Sequence, residues 1–239
     1  MKKIALVALL APLALGSCGL FNKAPQAITT ASGTLMDGTV KADANGSSTL
    51  TTTAWSGGAG TIALDLYDYT ARKTVKEGEA PLAADGKFGF ASLPTPKDSE
   101  LSKYEEAPSN SNCTGKFTVS DTAVRTAIAN FRTDATKDVA VSLTDVSGKT
   151  VTESQLVYVD RDVTFGGQQE CTTNGVKETF RYDNAKFVKG WNWGTITSTR
   201  DSSTKTNTYV FTKGVAANAK WVSLSYAPAS LKAAPFNLR

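Results

Sequence analysis

Histidine is absent from all 239 residues. That absence excludes Ser-His and Cys-His nucleophile pairs, zinc sites with imidazole ligands, facial-triad iron and His-ligated haem or copper. Cysteine is scarce, at positions 18, 113 and 171, and no C-x-x-C spacing supplies a redox motif. Neither sign of charge dominates: 26 Lys+Arg stand against 22 Asp+Glu, mixed along the chain. No basic run interleaved with aromatics occurs, so nucleic-acid binding has no support. Phosphate-cradling loops are missing as well, because Ser56-Gly57-Gly58-Ala59-Gly60 lacks the Lys and the following helix of a P-loop. Apolar runs stay short. The one from Ile4 to Leu15 cannot cross ~30 Å of hydrocarbon.

What is present begins with that run. Lys2 and Lys3 precede it as a basic n-region, so the segment reads as the h-region of a signal peptide. The residues after it, Leu15-Gly16-Ser17-Cys18, resemble the bacterial lipobox, in which small residues precede a cysteine. The resemblance implies thioether lipidation of Cys18, cleavage before it and acylation of the new amino group. One acyl chain anchors weakly, whereas two or three hold stably. Residues 1–17 are then a signal peptide, and 18–27 a lipidated tether that joins the chain to a membrane. Gly19 in place of Asp points to the outer membrane. The alternative is an ordinary secretory signal ending near Ser17, with Cys18 incidental.

With Cys18 lipidated, Cys113 and Cys171 remain. An even pair in an oxidising compartment reads as a disulfide, against the rival of two buried thiols. Closing a loop of that length stabilises by about 4 kcal/mol in the chain-entropy model.

Apolar content of 41% and charged content of 20% are globular values. The fold class is all-β, antiparallel and sandwich-like. Thr, Ser and β-branched residues abound, and Asp37-Gly38, Asn45-Gly46, Asp85-Gly86 and Asn174-Gly175 are hairpin-grade turns. Between turns the apolar residues alternate, as in Ile62, Leu64 and Leu66, or Val139, Val141 and Leu143, or Tyr209 and Phe211. One stretch, from Thr95 to Glu106, has Pro near its start and early acidic residues, which predicts a short helix. Asp121 to Phe131 fits a helix or a strand equally. The polar region around 95–112 divides an N-terminal β unit, 28–94, from a C-terminal one, 113–228, with a tail at 229–239. Whether the two share a core is left open by the pattern.

Several segments together carry a resemblance. They are Ala31-Ser32-Gly33-Thr34-Leu35, Trp55 with Gly57 to Thr61, Ala83-Ala84-Asp85-Gly86-Lys87-Phe88 leading to Leu93-Pro94, Cys113-Thr114-Gly115, Val157 to Asp162, and Lys189-Gly190-Trp191-Asn192. The chain is similar, over most of its mature length, to bacterial envelope lipoproteins of the deinococcal type. The resemblance implies an envelope location and β-sandwich-like domains, and brings no activity or site residues. The segment from Ala83 to Phe90 also resembles small transthyretin-like or carboxypeptidase-regulatory-like sandwiches, which bears on fold alone.

Residues for chemistry are few. Without histidine a nucleophilic serine needs a lysine base, and Ser99 or Ser102 with Lys103 read as solvated surface groups. Asp160 and Asp162 flank Arg161; on a strand they share one face, as a carboxylate pair, a cation site or a neutralised surface. Asp43-Ala44-Asn45-Gly46-Ser47 opens like a calcium loop but lacks the closing acid, so a hairpin explains it. Trp191 and Trp193 share one strand face and either fill a core between sheets or form a stacking platform for a ligand. The expectation is a non-enzymatic lipoprotein without cofactor or metal. It serves as a structural or accessory subunit docking on an outer-membrane or surface-layer protein, or alternatively binds glycans or small ligands on the Trp191–Trp193 platform.

Overall fold

Residues that alternate apolar and polar with period two cannot bury one face as helices, and they form strands. The computed structural model describes residues 26–43, 47–104, 112–135 and 139–224. Among them are seventeen strands, one 3-10 turn and no α-helix. The chain opens with β1 (Ala31–Thr34), β2 (Met36–Ala42), β3 (Ser48–Ala54), β4 (Gly60–Asp68), β5 (Lys73–Leu82) and β6 (Lys87–Phe90). After the 3-10 turn at Asp98–Glu100 come β7 (Ser102–Lys103), β8 (Cys113–Val119), β9 (Arg125–Ile128), β10 (Asn130–Thr133) and β11 (Val139–Gly148). The last are β12 (Thr150–Val159), β13 (Val163–Thr173), β14 (Val176–Phe187), β15 (Gly190–Asp201), β16 (Thr206–Lys213) and β17 (Lys220–Leu224).

Two sheets emerge from the pairing. The first runs β1-β6-β5-β4-β10-β11-β17-β2-β3. β3 returns to pair with the far end of β11, where Ser147 faces Thr49. The second runs β7-β9-β12-β15-β16-β14-β13-β8. The β11–β12 hairpin joins them. Antiparallel pairing prevails, but β14–β16 and β17–β2 are parallel. The Asn174-Gly175 turn forms as expected, with φ of 52° and 75° at the head of the β13–β14 hairpin.

The boundary at 95–112 does not divide the cores. β10, β11 and β17 from the second half pair with β4, β3 and β2 from the first, because those strands offer the edges that would otherwise be unpaired. The first core accordingly mixes Leu64, Phe88 and Phe90 with Phe131, Leu156, Trp191 and Trp221. A second core, built from Val157, Val159, Phe165, Tyr182, Ile196 and Phe211, lies on the other face of β12 and β15. β12 and β15 are therefore covered on both sides.

Two expectations need correction and one open alternative is decided. The helical linker is reduced to the 3-10 turn at Asp98–Glu100, since its backbone groups are taken by tertiary partners: Tyr69 N–H donates to Ser99 O, and Tyr104 N–H to Val124 O. Asp121 to Phe131, open between helix and strand from its pattern, is turn and loop through Val124 and then strand in β9 and β10. Asp37-Gly38 is no turn but the interior of β2, where a Cβ on Gly38 would stand 2.8 Å from Leu224 Cδ2 of the neighbouring β17. Asn45-Gly46, Cys18, the signal segment and the tail at 229–239 lie outside the described residues.

Close approach also explains Gly33, opposite Phe88 on β6: a Cβ there would collide with the Trp221 indole. Gly33→Ala is expected to cost roughly 1–3 kcal/mol in urea unfolding, as overpacking does. Gly89→Ala, whose Cβ would meet Ser32 Cβ at 3.5 Å, should unfold near the wild-type midpoint.

Candidate functional site

Cys113 on β8 and Cys171 on β13 are directly opposed in the ladder and form a disulfide, with Cα atoms 4.0 Å apart and a sequence separation of 58. Beside it Thr172 N–H donates to Asn112 O at 2.9 Å. The bond clips β8 to the sheet within the second core. Both sulfur-bearing residues are half-buried.

Trp191 and Trp193 share a face, but it is turned inward. Trp191 is 4% exposed; its Nε1–H donates to Pro94 O at 2.7 Å and its ring meets Tyr158 edge-on at 5.4 Å. Trp193 is half-buried, with its ring 6.0 Å from Trp221. The platform expected from their spacing is not presented to solvent, because the first sheet packs over that face of β15. Asn192 points the opposite way, buried, exchanging hydrogen bonds with the backbone of Val188 and Gly190.

Asp160 and Asp162 sit in the β12–β13 turn and not on a strand, since β12 ends at Val159. Asp160 accepts the Arg125 Nε–H at 2.9 Å, the Arg125 backbone N–H at 3.0 Å and the Arg161 Nε–H at 3.1 Å. Burial pushes its carboxyl upward, but the hydrogen bonds from Arg161 and Arg125 outweigh it and hold the pKa at about 2. Arg125 also donates to Asp98, and Arg161 to Asp121. Asp162 accepts the Lys189 N–H at 2.7 Å. These carboxylates bind together the 3-10 turn, β9 and the β12–β13 turn, a structural use that leaves Asp160 without a free lone pair for chemistry. Ser99 Oγ–H donates to Asp68, and Ser102 Oγ–H to Lys103 O, so neither hydroxyl is aimed at an amine. Among the described residues no three Cys, Asp or Glu side chains gather closely enough to hold a metal ion.

A cluster that the sequence pattern did not reveal lies under the 3-10 turn. Between Leu64↔Gly78 and Asp65↔Lys76 the β4–β5 register slips, leaving Glu77 as the extra residue of a bulge. Glu100 is drawn in beside it with a wholly buried side chain. Lys97 Nζ lies 2.6 Å from Glu77 Oε1 and 3.6 Å from Glu100 Oε1, while the Lys97 N–H donates to Glu100 Oε2 at 2.7 Å. Burial, then the hydrogen bond and charge of Glu77, push the Glu100 carboxyl up; the Lys97 ammonium holds Glu77 below the usual carboxylate range. The two carboxyls are thus driven in opposite directions, the buried one up and the one held by the ammonium down. The visible signal was the Lys97-Asp98-Ser99-Glu100 spacing, whose acidic third position folds back on the turn's start.

The signs give a pH window. Glu100, with its raised pKa, contributes stability below the ordinary glutamate value and loses it as pH rises through the raised one. Glu77, with its lowered pKa, contributes above the ordinary value and loses it as pH falls through the lowered one. Wild-type stability in urea is therefore expected to decline relative to Glu100→Gln as pH rises above the ordinary glutamate value of 4.5, and parallel pH profiles would refute the upward shift of Glu100. Replacing both Cys113 and Cys171 with Ser is expected to lower the unfolding free energy by up to about 4 kcal/mol, read from the same titrations. No family model, curated protein or solved structure matches this chain, so its functional reading rests on the geometry above.

Proposed function

We propose that the chain is a lipid-anchored envelope protein, held by acylated Cys18 and serving as a structural or accessory subunit of an outer-membrane or surface-layer assembly. The observation that carries this reading is the Cys113–Cys171 bond, since a disulfide persists in oxidising extracytoplasmic compartments. The leader and the lipobox-like Leu15 to Cys18 agree with it. The described chain starts at Gln26 and at once engages the fold, Ile28 pairing with Trp191. From Cys18 to Gln26 a fully extended chain reaches at most ~28 Å, so an anchored protein would stand close to the headgroups. The ion pairs of Asp160, Arg125 and Arg161, the burial of Trp191 and the packing of Trp193 on Trp221 are spent on rigidity, which suits a scaffold.

Extraction of the native full-length protein in mild detergent, with mass spectrometry of the particle, tests this. The expected result is a particle holding a stoichiometric partner, with acyl mass on Cys18, and release of a Cys18→Ser variant from the membrane fraction. A lone chain without lipid would overturn the proposal.

A further inference from the structure

The second sheet curls around its core: Val157, Ile196, Phe211, Tyr182 and Phe165 come from five strands, and Val124 and Tyr104 plug one end. Along β12 that inward face continues from Val159 and Val157 to Gln155 and Glu153, because alternate residues share a side. Register carries the Glu153 row across Ile196, Phe211 and Tyr182. The next row outward holds Tyr209 and Phe180, half-buried and stacked at 4.9 Å with an interplanar angle of 9°. The face thus grades from sealed aliphatic to half-open aromatic.

Two acceptors stand in that gradient. Gln155 is 8% exposed, and its Oε1 is buried without a hydrogen-bond partner. Two residues along the same face, the Glu153 carboxyl is half-buried and pushed up by burial, with the Gln155 amide acting in the opposite sense. No ion pair reaches Glu153 among the described residues. Lys213, one strand beyond Gly194 from Gln155, is exposed and makes none with it. Of the buried oxygens that lack a hydrogen-bond partner, Asp65 Oδ1 belongs to a carboxylate paired with Arg132, and Glu100 Oε1 has Lys97 3.6 Å away. Gln155 Oε1 belongs to a neutral amide and takes part in no ion pair. A buried acceptor without a donor costs free energy that a ligand bringing donors would recover.

We propose that this inward face binds a small organic ammonium ion with an apolar body, its N–H groups donating to Gln155 Oε1 and the Glu153 carboxylate. Both protein groups are acceptors, so the complement is a donor. An ammonium placed there would favour the ionised form of the Glu153 carboxyl, which burial alone disfavours, and Tyr209 and Phe180 in the next row outward suit an apolar tail. The site is independent of the membrane anchor.

Isothermal titration calorimetry of the full mature chain with phenethylammonium, phenethyl alcohol and phenylacetate tests the assignment. Binding is expected for phenethylammonium, with the alcohol and the acid weaker by roughly tenfold or more. Glu153→Gln and Gln155→Leu should each weaken the ammonium by a similar factor while Tm stays within the range that shows a folded protein. Should a variant fail to fold, amide chemical shifts in the wild type decide: phenethylammonium must move resonances of β12, β15 and β16. No binding at about 1 mM, equal binding of all three compounds, or shifts confined to other strands would overturn the proposal.

Discussion

The indole of Trp221 is the contact on which the single first core depends. It meets Phe88 of β6 at 5.2 Å, Phe131 of β10 at 5.1 Å and Trp193 of β15 at 6.0 Å, each edge to face. Those partners come from opposite halves of the chain and from both sheets. Edge-to-face aromatic pairs add about 0.5–1.5 kcal/mol each beyond the area they bury, so one residue near the C-terminal end of the described chain holds both sheets in place. Gly33 exists to admit it, and the parallel β17–β2 pairing positions the strand that carries it. Loss of that ring would leave the halves joined by strand pairing and the Asp65–Arg132 ion pair but without a shared aromatic centre.

Buried and half-buried charges then pin registers that hydrophobic packing alone would leave free to slip. Asp65 of β4 is 4% exposed and meets Arg132 of β10 at 2.6 Å, on strands whose pairing spans the two halves. Arg125 ties β9 at once to Asp98 of the 3-10 turn and to Asp160 beyond β12. Such pairs contribute little net stability after desolvation, but a register shift by one residue would leave a buried carboxylate alone, at several kcal/mol. Specificity of pairing is their physical role here.

Strand existence was legible because period-two alternation is a local property. Ile62, Leu64 and Leu66 are all fully buried, and the Asn174-Gly175 turn has the left-handed backbone its residue types favour. Pairing was not legible. Which strand lies beside β4 depends on Phe131 opposing Leu64 across an interval of 67 residues, and nothing local encodes that. The linker was misread for a related reason: Pro96 and the early acids do suit a helix start, yet the carboxylates are spent on Arg125 and the Glu77 bulge. The disulfide was legible from cysteine count, and the tryptophan spacing correctly gave a shared face. Whether that face met solvent or the other sheet depended on the long-range pairing of β12 with β15. Glu77 with Glu100, and Glu153 with Gln155, escaped notice because a bulge in one case and a curled sheet in the other bring them to their places.

The two cores treat polar groups differently, and that difference is informative. In the first, Asp65 keeps one unpartnered oxygen but is ion-paired to Arg132, and Ser154 is answered by Thr195, whose own hydroxyl donates to Gly214 O. In the second, β12 switches from Val159 and Val157 to Gln155 and Glu153 while still facing Ile196 and Phe211. A strand selected for stability alone would continue the aliphatic series there, since valine both favours the strand and avoids an unmet acceptor. Local rules are broken in proteins chiefly where function requires it. The break falls one to two rows inside the half-buried pair Phe180 and Tyr209, so a molecule entering past those rings would meet Glu153 first and Gln155 beyond it.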